Sequence, residues 1–173
     1  MPLWRKEGFV EDGWTFIADD EPLSDQGAVV ISLKRWLAER DALERRNAPV
    51  GVAVEAGADA QSHLSDIAER PVVTLAFAKF GDGRAFSYAR LLRDRHSFKG
   101  ELRAVGDVLI DEIPLMLRCG FDSFSVTNEP TLRALEAGNL PGPSIHYQPG
   151  RAGDERPAGG WRNWRTITGA VSR

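Results

Sequence analysis

Short apolar runs alternate with amphipathic segments along most of the chain. Apolar residues predominate in residues 28–32, 50–54, 72–80, 101–105 and 121–126, and each run has the length of one buried strand. Between them, apolar residues at helical spacing mark residues 33–46, 59–68, 85–96, 111–119 and 129–137. This alternation predicts an α/β domain whose strands pair in parallel through right-handed crossovers.

Two arrangements of these units are compatible with the periodicity. We expect an open, mostly parallel sheet of about five to six strands with helices on both faces, in which residues 145–147 form an edge strand. A partial (βα) barrel is the alternative. Pro114 interrupts an apolar helical run, so that helix is either kinked there or begins near Asp111.

Turn residues and composition divide the chain into three parts. Residues 1–27 carry two turn signals, Glu7-Gly8 and Glu11-Asp12-Gly13, and are predicted to form a hairpin or arm. Residues 28–148 form the α/β domain. Residues 149–173 are predicted to be a flexible linker followed by a tail that contains Trp and Arg.

Composition narrows the classes of partner. The 173 residues contain 22 Lys and Arg against 25 Asp and Glu, a net charge of -3, which disfavours nucleic-acid binding. No signal peptide and no run of about 20 apolar residues is present, so we expect a cytoplasmic protein without membrane contact. With one cysteine, Cys119, and isolated histidines, the sequence predicts no disulfide and no metal site.

The carboxyl ends of the predicted strands carry the candidate chemistry, because ligands of parallel α/β sheets collect there. The segment at residues 79–84 leads from a strand into a helix, whose N-terminus favours an anion. The anion-binding candidates are Lys79, Asp82, Gly83, Arg84, Asp107 and Asn128. In the alternative interpretation, Asp82-Gly83 is an ordinary turn in which Asp82 caps the helix.

Two further residues are interpreted as structural. Arg103 lies in the middle of a strand, and a buried guanidinium needs a carboxylate partner such as Asp107 or Asp111. Cys119 is interpreted as a small buried packing residue.

One part of the chain resembles a known family. The segments LAFAKFGDGRAFSYARLLR (residues 75–93), GELRAVGDVL (residues 100–109) and LRCGFD (residues 117–122) are similar to a bacterial family of uncharacterised domains. That family is labelled as an oxidoreductase involved in sulfite reduction and is encoded beside assimilatory sulfite reductase. The resemblance therefore implies a role in sulfur assimilation.

Three functions follow as alternatives. The first is an accessory protein that acts with sulfite reductase, because the sequence has no redox-cofactor motif and no cofactor is predicted. Its docking candidates are the aromatic and cationic residues of the tail, Trp161, Arg162, Trp164 and Arg165. The second is an enzyme that binds a small oxyanion at the strand ends, with unknown catalytic residues. The third is a structural domain that self-associates into a homo-oligomer.

Overall fold

The computed structural model describes residues 1–55, 57, 59–78 and 82–142. In these residues eight strands form one sheet. They are β1 (Leu3–Arg5), β2 (Gly8–Val10), β3 (Trp14–Phe16), β4 (Ala28–Ser32), β5 (Val50–Val54), β6 (Val72–Phe77), β7 (Glu101–Gly106) and β8 (Ser123–Ser125). The edge strand expected at residues 145–147 lies outside the described residues.

The helices follow the strands as the alternation predicts. They are α1 (Leu33–Glu44), α2 (Arg84–Asp94), α3 (Ile113–Cys119) and α4 (Glu129–Glu136). Where one short helix was expected at residues 59–68, the chain forms two 3₁₀ turns, Ala60–His63 and Ser65–Ile67. Pro114 lies in the first turn of α3, where the missing amide donor removes no helical hydrogen bond, so the helix begins there and is not kinked.

The strands β3 to β8 follow one another in the sheet in chain order, and each is parallel to the next. The N-terminal strands complete the sheet: β1 pairs antiparallel with β8 and with β2. The sheet is therefore mixed, with order β2-β1-β8-β7-β6-β5-β4-β3, and the N-terminal strands belong to the same sheet as those after residue 28.

A short connection forces this sheet to curl. Strands β2 and β3 are its two outermost strands, yet only residues 11–13 separate them in the chain. Four Cα steps span at most about 14 Å. A flat sheet of this size would hold its edges roughly 34 Å apart, at about 4.8 Å per strand. The sheet is accordingly a half-barrel.

The two faces of the half-barrel differ in kind. Alternate strand residues, among them Val52, Leu75, Ala104 and Phe124, join the buried residues of all four helices in a single hydrophobic cluster. Helices therefore cover one face only, because parallel strands joined in chain order by right-handed crossovers turn in one direction. The α/β class is confirmed, and the partial barrel, the alternative to helices on both faces, is the arrangement observed.

Among the described residues, no helix is long and apolar enough to span a membrane.

Candidate functional site

The face of the sheet opposite the helices, called here the inner face, carries polar side chains among small and aliphatic ones. Its members alternate with the core residues along β1 and β4 to β8: Leu3, Arg5, Val30, Ser32, Gly51, Ala53, Val72, Thr74, Ala76, Glu101, Arg103, Val105, Ser123 and Ser125. The outer face of this partial barrel packs against the helices, and its inner face holds charged side chains away from bulk water.

Arg103 occupies the middle of the inner face and is fully buried. Its Nε donates a 3.0 Å hydrogen bond to Glu101 Oε1, and its Nη1 donates a 2.7 Å bond to Asp12 Oδ2. Arg5 Nη2 donates to Glu101 Oε2 at 2.6 Å, and the Ser123 hydroxyl donates to Glu101 Oε1 at 2.5 Å. Two guanidinium groups and two carboxylates thus form one charge-balanced network, as burial of charge requires.

Three polar atoms of the inner face are buried without a hydrogen-bond partner in the described part of the chain: Arg5 Nε, Thr74 Oγ1 and Arg103 Nη2. Arg103 Nη2 lies 2.9 Å from Glu101 Oε1, but the contact lacks hydrogen-bond geometry and is only an ion pair. Thr74 and Arg103 are register partners on β6 and β7, so their side chains leave the same face of the sheet from neighbouring strands. Buried donors without acceptors cost about 1–3 kcal/mol each, which makes this part of the inner face unusual.

Arg103 forms the predicted buried ion pair. Its partners are Glu101 and Asp12 and not the predicted Asp107 or Asp111. Glu101 was accessible to sequence reasoning, because residues two apart in a strand point to the same face. Asp12 was not, because it reaches Arg103 only through the curl of the sheet.

Among the candidates expected at the carboxyl ends of the strands, called here the rim, Asp82 and Arg84 lie between β6 and α2 and pair with each other. Arg84 Nε donates to Asp82 Oδ1 at 2.9 Å, Arg84 Nη2 donates to Oδ2 at 2.7 Å, and the Arg84 backbone amide donates to Oδ1 at 3.2 Å. The hydrogen bond and the charge of Asp82 raise the pKa of the Arg84 guanidinium. Gly83, which has no side chain, is the N-cap residue of α2, and the Asp82 carboxylate before it accepts from the first amide of the helix.

Asp107 follows β7 directly, and Asn128 precedes α4. The Asp107 amide donates to the carbonyl of Phe77 at 2.8 Å, which fixes it beside the end of β6. Asn128 caps α4, since its Oδ1 accepts from the amide and the hydroxyl of Thr131 at 3.0 and 2.9 Å. Lys79 lies outside the described residues. Binding of an oxyanion by this set stays a prediction.

Near Asp107 the rim is acidic. Burial raises the pKa of the Glu112 carboxyl, and the charges of Asp111 and Asp107 raise it further. In the described ranges, no group of three His, Cys, Asp or Glu side chains is arranged to hold a metal ion.

Cys119 lies at the end of α3 and is buried in the hydrophobic cluster, as expected of a packing residue. Burial raises the pKa of its thiol, and the nearby Arg90 and Arg118 offset this only in part.

A surface groove of about 610 Å³ lies at the opposite end of the sheet from the rim, beside residues that precede β6 and β7, including Arg70 and Gly100. Its Arg40 is already paired, with Glu44 at 2.9 Å and Asp66 at 3.6 Å. The groove shares no lining residue with the ion-pair network of the inner face or with the rim.

These features define an α/β protein built on a curled mixed sheet, with helices on its outer face and an ion-pair network on its inner face. The chain belongs to the family described as "Bacterial protein of unknown function (DUF934)", whose model matches residues 51–158. No curated protein and no solved structure matches the chain. The matched span includes Thr74 and Arg103, whereas Asp12 precedes it.

Proposed function

We propose that the protein is an accessory of assimilatory sulfite reduction that acts together with sulfite reductase. The observation that carries the proposal is the resemblance of residues 75–93, 100–109 and 117–122, which lie within the span of the family match at residues 51–158. An accessory role requires a docking surface on this chain and does not require a redox centre. The aromatic and cationic residues of the tail are the candidates for that surface.

In this proposal the tail provides the contact. Trp161 and Trp164 are large aromatic anchors flanked by Arg162 and Arg165, and these residue types are enriched where binding energy concentrates. All four lie outside the described residues, so the proposal for them rests on residue type and spacing alone.

Growth tests the pathway. A strain lacking the gene is expected to grow on sulfide and to fail on sulfate as sole sulfur source, with growth restored by the full chain. Equal growth of the deletion strain on both sources would overturn the role in sulfite reduction.

Co-purification tests the contact. The full chain is expected to retain sulfite reductase, and the double variant Trp161→Ala/Trp164→Ala is expected to lose it. The control is Leu115→Ala, which removes a 47% exposed apolar side chain from α3. Retention by the double variant equal to that by the control would remove the tail from the proposal.

Self-association is the second candidate, and exposed aromatic residues on the outermost strands favour it. Phe9 on β2 is 39% exposed and Phe16 on β3 is 45% exposed, and outermost strands pair readily with further strands. Light scattering over a range of concentrations tests it. A dimer that dissociates on Phe9→Lys supports this candidate, and a constant monomer mass excludes it.

A further inference from the structure

The two carboxylates that pair with Arg103 are held unequally. Glu101 accepts hydrogen bonds from Arg5, Arg103 and Ser123, and its side chain is 14% exposed. Asp12 lies in the connection between β2 and β3 and accepts from only two groups in the described chain, Arg103 Nη1 at 2.7 Å and the Trp14 amide at 3.1 Å. Its side chain is 21% exposed. Asp12 is therefore the carboxylate that can leave Arg103 most easily.

Asp12 does not satisfy the unpartnered atoms of Thr74 and Arg103. Its Oδ2 accepts from Arg103 Nη1 and its Oδ1 accepts from the Trp14 amide, and neither oxygen accepts from Arg103 Nη2 or Thr74 Oγ1. An anion with three or four oxygens around one atom has acceptors for Nη1, Nη2 and the threonine hydroxyl together.

We propose that the inner face binds a small oxyanion at Arg103 and Thr74, in exchange for the Asp12 carboxylate that occupies this position in the structure. The exchange of one anion for another preserves most of the charge balance of the network, and the departing side chain provides room. The site differs from the rim at residues 79–84, and the inference does not depend on the proposed role in sulfite reduction.

The experiment is calorimetric titration of the full chain with sodium sulfate, sulfite or phosphate, at ionic strength held constant with sodium chloride. Wild type is expected to bind one oxyanion. Asp12→Asn is expected to bind it about tenfold more tightly, because the competing carboxylate is gone. Thr74→Val is expected to bind about tenfold more weakly, because one charge-assisted hydrogen bond is lost.

One control variant and one stability measurement accompany the titration. Thr15→Val makes the same change at an exposed residue of β3 and is expected to leave affinity unchanged. Thr74→Val removes a hydroxyl without a partner, so it is expected to fold with a melting temperature at or above that of wild type.

Three results would overturn the inference. The first is absence of binding of all three anions by both wild type and Asp12→Asn. The second is equal affinity of Thr74→Val and Thr15→Val. The third is loss of binding on Arg84→Gln with no effect of Thr74→Val, which would locate the anion at the rim. None of these outcomes bears on growth of the deletion strain, so failure here is distinguishable from failure of the proposed function.

Discussion

Asp12 and Arg103 are 91 positions apart in the chain, yet Asp12 Oδ2 accepts a 2.7 Å hydrogen bond from Arg103 Nη1. This contact joins the connection between the two outermost strands to the middle of the sheet, across the inner face. It completes the charge balance of a fully buried guanidinium.

Substitution of Asp12 by Asn is expected to lower the free energy of unfolding by about 2 kcal/mol, because Arg103 loses one of its two carboxylates while buried. Urea denaturation measures the loss. Asp25→Asn, at an exposed loop residue, is the control and is expected to change stability by less than about 0.5 kcal/mol. Equal stability of Asp12→Asn and the control would show that the contact contributes nothing to the fold.

Gly106 is expected to tolerate no side chain. Its φ is +92°, and a Cβ there would lie 2.5 Å from the carbonyl oxygen of Phe77. Gly106→Ala is therefore expected to destabilise the protein by about 3 kcal/mol, through backbone strain and this overlap.

Gly83→Ala, at the neighbouring rim position with open space around it, is the matched control and is expected to cost no more than about 0.5 kcal/mol. Similar melting temperatures for the two variants would contradict the geometry of the β6–β7 ends.

Ser97 is the non-glycine residue with positive φ, at 53°, in the described chain. It follows α2, in a turn where the Phe98 amide donates to the carbonyl of Leu92 at 3.0 Å. Ser97→Gly is expected to stabilise the protein by about 1 kcal/mol, because glycine adopts this conformation without a steric penalty.

Ser87→Gly, on the exposed side of α2, makes the same change in a helix interior and is expected to destabilise. Thermal unfolding of both variants checks the opposite signs. A loss of stability in Ser97→Gly would contradict the prediction.

Glu112 gives a pH dependence. Burial raises the pKa of its carboxyl in the folded protein, with Asp111 and Asp107 adding to the effect, so the folded state binds this proton more tightly than the unfolded state. Ionisation of Glu112 therefore lowers stability as the pH rises through and above its pKa.

Glu112→Gln is expected to melt at a higher temperature than wild type at pH 7, with the difference vanishing below about pH 4, where the carboxyl is protonated in both states. The control is Glu136→Gln, on the exposed end of α4. A difference that is the same at both pH values would assign the effect to packing instead of ionisation.

Local sequence pattern determined much of this protein. The runs at residues 28–32 and 50–54 coincide with β4 and β5, because β-branched apolar residues between turn signals have few other folds available. Caps were equally local: Ser32 accepts the Arg35 amide at 3.0 Å, and Gly120 ends α3 with φ of 101°. The position of Arg103 in the middle of a strand also predicted a buried ion pair, which is present.

Tertiary structure decided the rest. Residues 8–16 contribute to both outermost strands of the sheet, and no local pattern reveals that the two lie close enough to be joined by residues 11–13. The Asp12–Arg103 contact follows from that curl, and helices on one face follow from the order of the parallel strands. Periodicity reports which face of a strand is buried, whereas strand order and closure depend on contacts between distant residues, which leave no trace in the spacing of apolar positions.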